Sequence, residues 1–312
     1  MRAFVVEEFG KPGSVREVPD PRPAPDEVLV RVRAGGVNPA DWAMVMGMMK
    51  QYAEHRFPLI PGIDLSGEVV EAPGDVALAA GDDVYGAVGK PYYGEGSWAE
   101  LVAVAVGDVA VKPAALDHVA ASGVPLAGLT ALQAVEAADV VEGGRLLVVG
   151  ATGGVGSYAV QIAAIRGAQV VAVSRGENAA YARELGAAET IDYTQGDLAD
   201  RVRAAHPDGV DALIDLASDG DAVLRLAEVV REGGAVVSAR GAANPETLES
   251  RGRRGVNVSR APLARLPELS ALFDDARLFA PPTRTFPLDR AQDAIDEVAT
   301  GHVRGKLALT IP

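Results

Sequence analysis

Alternation of apolar and polar residues runs through the first third of the chain. Glu27–Ala34 (EVLVRVRA) sets Val28, Val30, Val32 and Ala34 on one face, the pattern of a half-buried strand. Gly67–Glu71, Asp83–Tyr85 and Ala99–Val104 are also β-rich and bounded by Gly, Pro or Asp. No sustained 3.6-residue period interrupts them. After Gly128 the pattern changes. Leu146–Val149 is wholly apolar, Val155–Ile165 has an apolar helical face, and Gln169–Ser174 reads as a second buried strand. A helix over Glu177–Leu185, strands at Thr190–Asp192 and Ala212–Leu216, a helix over Ala222–Val230 and a strand at Ala235–Ser238 follow. Strands alternating with helices predict a parallel sheet with right-handed crossovers. The tail predicts helices at Leu266–Leu272 and Leu288–Val298 and a strand at Lys306–Ile311, with no sheet of their own. It is expected to return to the first domain, giving one domain from residues 1–121 and 262–312 and another from 122–261.

The sharpest local signal is Leu146–Gly156, LLVVGATGGVG. An apolar strand enters a Gly-rich turn and a helix starts at once. Small residues at Gly150 and Ala151 allow a tight turn. Gly153 and Gly154 let a pyrophosphate approach the backbone, and Gly156 lets the helix pack against the strand. Free N–H groups and the helix dipole then face the phosphates. The pattern is A-x-G-x-x-G, weak alone and strengthened by the strand before it, the helix after it and a second strand about twenty residues on. That second strand ends at Ser174-Arg175, where an NAD site places Asp or Glu for the ribose 2′-hydroxyl. A hydroxyl and a guanidinium there favour the 2′-phosphate of NADP(H), with Glu177 close by as an opposing charge.

Composition narrows the partners. The 312 residues suffice for two domains, and 48% apolar with 23% charged residues is ordinary for a globular protein. A net charge of −14 disfavours nucleic acid and anionic membrane surfaces. The absence of cysteine removes disulfides, thiolate chemistry and every Cys-containing zinc site. The opening MRAFVVEEFG is too soon acidic for a signal peptide, and the longest uncharged stretch, Val119–Val135, carries too many polar and small residues for a membrane span. A cytoplasmic protein is expected.

Separated motifs give the chain a resemblance. VGATGGVG, GLTALQAV (Gly128–Val135), GVNPADW (Gly36–Trp42), PGIDLSGEVV (Pro61–Val70), GDDVYG (Gly81–Gly86), GSWAELVAV (Gly96–Val104) and GHVRGKLAL (Gly301–Leu309) occur in order. Together they resemble the medium-chain dehydrogenase/reductase superfamily in its quinone oxidoreductase branch, over nearly the whole chain. The resemblance implies an α/β fold in which a Rossmann doubly wound parallel sheet is inserted into a GroES-like β-barrel catalytic domain. Zinc members carry Cys where this chain has Asn38 and His-Glu where it has Ile63-Asp64, and no metal site is expected. Without a Lewis acid to stabilise an alkoxide, an enone or quinone is the better substrate, because its enolate delocalises charge that hydrogen bonds can stabilise.

Asn38 and Tyr52 are the candidate catalytic residues. Asn38 can bond a substrate oxygen or the nicotinamide ribose, or else cap the turn of Asp41. Tyr52, ten residues before Gly62, sits at the spacing of an active-site Tyr in the quinone oxidoreductases and can donate to a developing enolate, or else is a half-buried aromatic. The cofactor set is Thr130, Ala151, Gly153, Gly154, Val155, Ser174, Arg175, Asn178, Tyr193, Ala217 and Gly241. By resemblance Thr130 meets the nicotinamide and Tyr193 the 2′-phosphate. Asn178 stands near a position where the family often has Lys, so Arg175 must supply the charge. Ala217 and Gly241 lie just past two later strands of the same domain. Tyr92, Tyr93 and Trp98 can line an aromatic wall or fill core, and Met44, Met46, Met48 and Met49 form a flexible apolar stretch. The four histidines show no metal-ligand spacing. Val256 and Val258 are expected to pair an edge strand across a homodimer axis.

The expected function is NADPH-dependent reduction of a small-molecule quinone or enone. Alternatives are a tailoring enoyl reductase of polyketide or other secondary metabolism and a nicotinamide-binding sensor or structural protein without turnover.

Overall fold

The computed structural model describes residues 1–74 and 76–312. It divides into two compact units, Met1–Leu126 with Pro262–Pro312, and Ala127–Ala261. The first unit opens with β1 (Arg2–Val5), β2 (Ser14–Glu17) and the long β3 (Glu27–Val37), followed by a short helix α1 (Pro39–Val45). Then come β4 (Glu54–Ile60), β5 (Asp64–Glu71), β6 (Asp83–Ala87), β7 (Tyr92–Glu95), β8 (Leu101–Ala105), β9 (Val109–Val111) and α2 (His118–Ser122). Val28, Val30, Val32 and Ala34 are fully buried on one face of β3, as the alternation requires. Helix α1 lies within the stretch where no helix is predicted. Seven residues are too few for a visible helical period, and its start is set by Pro39 and by Asp41 reaching back to the Asn38 N–H.

Helix α3 (Pro125–Ala138) begins in the first unit, which ends at Leu126, and continues in the second, which starts at Ala127. The second unit continues with β10 (Arg145–Val149), α4 (Gly154–Ile165), β11 (Gln169–Ser174), α5 (Ala179–Glu184), β12 (Glu189–Asp192), α6 (Leu198–Ala205), β13 (Val210–Asp215), α7 (Gly220–Leu226), β14 (Val230–Ser238), α8 (Pro245–Ser250) and β15 (Arg254–Asn257). Its strands form one parallel sheet in the order β12-β11-β10-β13-β14-β15. Counted within the unit this is 3-2-1-4-5-6, the order of a dinucleotide-binding sheet, whose direction of winding reverses between its first and fourth strands. The central strands β10 and β11 are apolar over most of their length, as strands covered on both faces are.

The tail contributes α9 (Leu266–Asp274), β16 (Thr283–Pro287), α10 (Ala291–Ala299) and β17 (Lys306–Thr310) to the first unit. β17 pairs antiparallel with β3 and parallel with β16, extending a sheet of order β16-β17-β3-β5-β6-β9, with β8 also on β3. Trp98, Phe4, Leu59 and Leu65 fill its core. Buried Tyr85 ties in α9 by donating to the Leu266 carbonyl at 2.9 Å, and burial pushes its phenol up to about 12. Among the described residues, no helix is long and apolar enough to cross a membrane.

Candidate active site

In the second unit the strand order brings together the ends of β10 and β13. Gly150 turns in the left-handed region at φ 78°, and a Cβ there would stand 3.5 Å from the Ala217 Cβ. The glycine loop and Ala217 are therefore neighbours at the switch point where such sheets bind ligands. Asp215 shapes this edge: one carboxylate oxygen accepts the N–H groups of Ala217 (3.0 Å) and Ser218 (2.7 Å), while the other is buried and finds no hydrogen-bond partner among the described residues. The sequence reading missed Asp215, whose signal is an acid closing an apolar strand.

Gly153 precedes α4 in an extended conformation and offers no side-chain cap, so the N–H groups of Gly154 and Val155 open the helix without one. Gly156 sits so close to the loop that a Cβ would fall 2.1 Å from the Gly150 carbonyl oxygen. Ala151 is fully buried, its N–H bonded to the Val173 carbonyl. A tight turn, an uncapped helix start and a helix pressed against the strand make a cradle for a pyrophosphate, and these residues fit a dinucleotide. Gly241, at φ 74°, lies in the turn after β14, held by the Ser238 hydroxyl through the N–H groups of Arg240 and Ala242.

At the far side of this half-sheet, the exposed Arg175 donates from Nε to the Tyr193 hydroxyl at 3.0 Å, and that bond holds its guanidinium still more firmly protonated. β11 and β12 run in register with Ser174 opposite Asp192, which explains how residues 18 apart meet. Ser174 lies at the end of β11. It is 5% exposed and its hydroxyl donates back to the Arg175 carbonyl at 3.2 Å, so it braces the strand end and does not face outward. Asn178 closes the turn after Arg175, half-buried and making no cap bond to α5. The structure adds an acid that the sequence reading overlooked. Asp192 stands where a Cβ on Gly176 would be 2.6 Å from its carboxylate, and its Oδ1 takes the Thr194 N–H (2.9 Å) and hydroxyl (2.8 Å). Those bonds hold its carboxyl below the ordinary range. Thr130 is buried on α3, six per cent exposed.

In the first unit, four polar side chains meet away from solvent. Asn38 is 2% exposed. Its amide donates to Asp64 Oδ2 (3.0 Å) and accepts from Lys306 Nζ (2.5 Å). Lys306 also donates to the Val37 carbonyl (3.3 Å), and Asp41 accepts the N–H groups of Asn38 (2.7 Å) and Ile63 (3.0 Å). Burial, then the charge of Asp64, push the Asp41 carboxyl up to about 7, while burial lowers Lys306 against the pull of both acids. Each end of the Asn38 amide thus has a partner inside its own unit. Tyr52 is the opposite case, 72% exposed on a turn.

Tyr92, Tyr93 and Trp98, read as an aromatic wall or as core, are each engaged in packing. Trp98 is fully buried and donates to the Gly36 carbonyl, Tyr92 lies under the Arg56 guanidinium, and Tyr93 packs against His55 at 4.8 Å between ring centres. Phe9 and Phe57 complete that cluster, and Met46 and Met48 are exposed whereas Met44 is core. Ser66, His118 and Asp83 line up like a hydrolytic triad, at 2.8 and 3.4 Å. The chemistry is otherwise: Ser66 is fully buried and its hydroxyl donates to the Val84 carbonyl, so His118 must donate to Ser66 and cannot act as its base. Among the described residues, no three His, Cys, Asp or Glu gather as a metal site.

Residues 24–114 match the alcohol dehydrogenase GroES-like domain family and residues 154–260 the family described as zinc-binding dehydrogenase. The chain is 32% identical over 295 residues to 2-methylene-furan-3-one reductase of Solanum lycopersicum, covering 91% of this chain and 71% of that protein. It is 32% identical over 321 residues to the chloroplastic NADPH-dependent alkenal/one oxidoreductase of Arabidopsis thaliana, covering 99% and 79%. The solved quinone oxidoreductase of Coxiella burnetii superposes with a TM-score of 0.89 at 31% identity, over 100% of this chain and 99% of that one. With a GroES-like first domain, a dinucleotide-binding sheet in the order 3-2-1-4-5-6 and relatives at this identity and coverage, the chain belongs to the medium-chain dehydrogenase/reductase superfamily, in its quinone oxidoreductase-like branch.

Proposed function

We propose that this protein is an NADPH-dependent reductase of quinones or α,β-unsaturated carbonyl compounds that works without zinc, as a cytoplasmic homodimer. Membership of the family makes it an oxidoreductase with a nicotinamide cofactor. The finer reading rests on one observation, the Arg175–Tyr193 hydrogen bond at the end of β11. A cation and a phenol held together there suit a 2′-phosphate. Asp192 opposes it as a nearby negative charge, but its carboxylate is already engaged by Thr194. The substrate class is supported by relatives named for alkenal/one and furanone reduction.

In this reading the N–H groups at the start of α4 bind the pyrophosphate, Arg175 and Tyr193 select the 2′-phosphate, and Thr130 orients the nicotinamide. NADPH supplies the hydride. The exposed phenol of Tyr52 donates a hydrogen bond to the substrate oxygen on which negative charge collects. Asn38, buried, joins Lys306 to Asp64. Dimerisation would use β15, which lies at the end of the sheet order and carries the half-buried Val256.

The test is NADPH and NADH oxidation against matched quinones, enones and saturated ketones. NADPH turnover on the first two alone fits the proposal. Preference for NADH, or for saturated ketones, refutes it, and tight NADPH binding with no turnover on any acceptor would mark a non-catalytic nucleotide-binding protein.

A further inference from the structure

Helix α3 begins with an unmet need. Its first residue, Pro125, has no N–H, and Val124 before it carries no side-chain acceptor, so Leu126 is the first donor that must find a partner outside the helix. The partner comes from another element. Asp64, the first residue of β5, accepts the Leu126 N–H on Oδ1 at 3.0 Å. Its other oxygen takes the Asn38 amide. One fully buried carboxylate thereby fixes both the junction of β3 with α1 and the start of α3. A negative charge is also what a helix N-terminus favours. Lys306 completes the arrangement. Its ammonium, 4% exposed, bonds the Asn38 carbonyl oxygen, which forces the amide nitrogen toward Asp64. An apolar filling of this volume would avoid the desolvation of three ionisable groups. What the polar filling adds is directionality: Lys306 donates to the Asn38 carbonyl oxygen and the Val37 carbonyl, the Asn38 amide donates to Asp64, and Asp64 accepts the Leu126 N–H.

Thr130 lies four residues beyond Leu126, one turn further along the same face of the same helix. We propose that Asp64 and Lys306 are positioning residues of the reduction: Asp64 caps α3 from a distance and Lys306, through Asn38, orients Asp64, so that Thr130 is presented in register for the nicotinamide. The inference rests on the reading of Thr130 given above. Neither residue touches substrate or cofactor.

The experiment compares Asp64→Asn, Lys306→Met and Lys306→Arg with wild type, at a temperature where melting curves show each protein folded. Three quantities are read: kcat and KM on an enone, the affinity for 2′-AMP, and the emission of bound NADPH, which reports the nicotinamide and needs no turnover. Asp64→Asn and Lys306→Met are expected to lower kcat on the order of ten- to a hundredfold, the loss that an ångström-scale misplacement brings. They should alter nicotinamide emission and leave 2′-AMP affinity within about twofold. Lys306→Arg should restore much of kcat. Unchanged kcat and emission in a folded Lys306→Met protein overturn the proposal, as does parallel loss of 2′-AMP affinity. If Asp64→Asn fails to fold, the two Lys306 variants decide. If wild type reduces no enone or quinone, the proposed activity has failed, and emission alone decides whether Asp64 and Lys306 position the nicotinamide.

Discussion

Replacing Gly156 by Ala puts one methyl group where the structure has no room. The Cβ would lie 2.1 Å from the Gly150 carbonyl oxygen and 2.8 Å from both Cα and carbonyl C of Ala151. All three are backbone atoms, so no side chain can swing aside. Ordinary contact begins near 3.4 Å, so the helix start must retreat by more than an ångström along that direction. Overpacking of this kind costs about 1–3 kcal/mol, here without the relief that a flexible neighbour offers. In a unit of this size that corresponds to a fall in Tm of about 2–10 °C. The functional loss should be larger in proportion, because the N–H groups of Gly154 and Val155 move with the helix and charge-assisted bonds to a phosphate weaken steeply with distance and angle. NADPH affinity should drop by roughly tenfold or more. Circular dichroism melts and calorimetric titration with NADPH measure both. Gly107→Ala is the control, since a Cβ there meets nothing within 4 Å. A Gly156→Ala protein whose Tm and NADPH affinity equal those of Gly107→Ala would refute the argument that close approach of α4 to the β10 turn forms the cradle.

Arg175→Ala should weaken NADPH binding on the order of tenfold and leave NADH nearly unchanged, read as paired dissociation constants; equal losses would assign Arg175 to the fold. Tyr85→Phe leaves the Leu266 carbonyl inside the first unit without its phenolic donor, and denaturant unfolding should show a loss of about 1–3 kcal/mol. Asp41 gives a pH signature. Its carboxyl is raised from 3.8 to about 7, so the folded chain holds more protons than the unfolded one between those values and stability falls as pH rises through that window. Melting temperatures from pH 5 to 8 should decline in wild type and flatten in Asp41→Asn; identical slopes would remove Asp41 as the cause. Activity should survive dialysis against a strong chelator, and stoichiometric zinc lost together with activity would overturn the zinc-free reading.

The dinucleotide-binding sheet was legible because its signals are local. Leu146–Val149 and Gln169–Ser174 are apolar on both faces, and the turn between β10 and α4 is spelled out in consecutive small residues. β3 showed itself through strict alternation. Short elements escaped: α1 has too few residues for a helical period, and β4 and β7 form a small two-stranded sheet. Tyr93 could be placed in a strand-rich region but not against His55, since that contact depends on the β4–β7 register.

The chain by itself determined which segments become strands and helices, where a pyrophosphate would meet bare backbone, and that no cysteine chemistry operates, because each of these follows from residue type at neighbouring positions. Tertiary structure decided which side chains are available. Asn38 reads as a donor awaiting substrate until Asp64 and Lys306, brought in from β5 and β17, engage both ends of its amide. Ser174 reads as a cofactor hydroxyl until it is found turned back on the Arg175 carbonyl. Asp192 reads as a strand end until register sets it opposite Ser174. A buried polar group is defined by the partners that remove it from water, and for Asn38 those partners lie 26 and 268 residues away in sequence, so only the folded chain can name them.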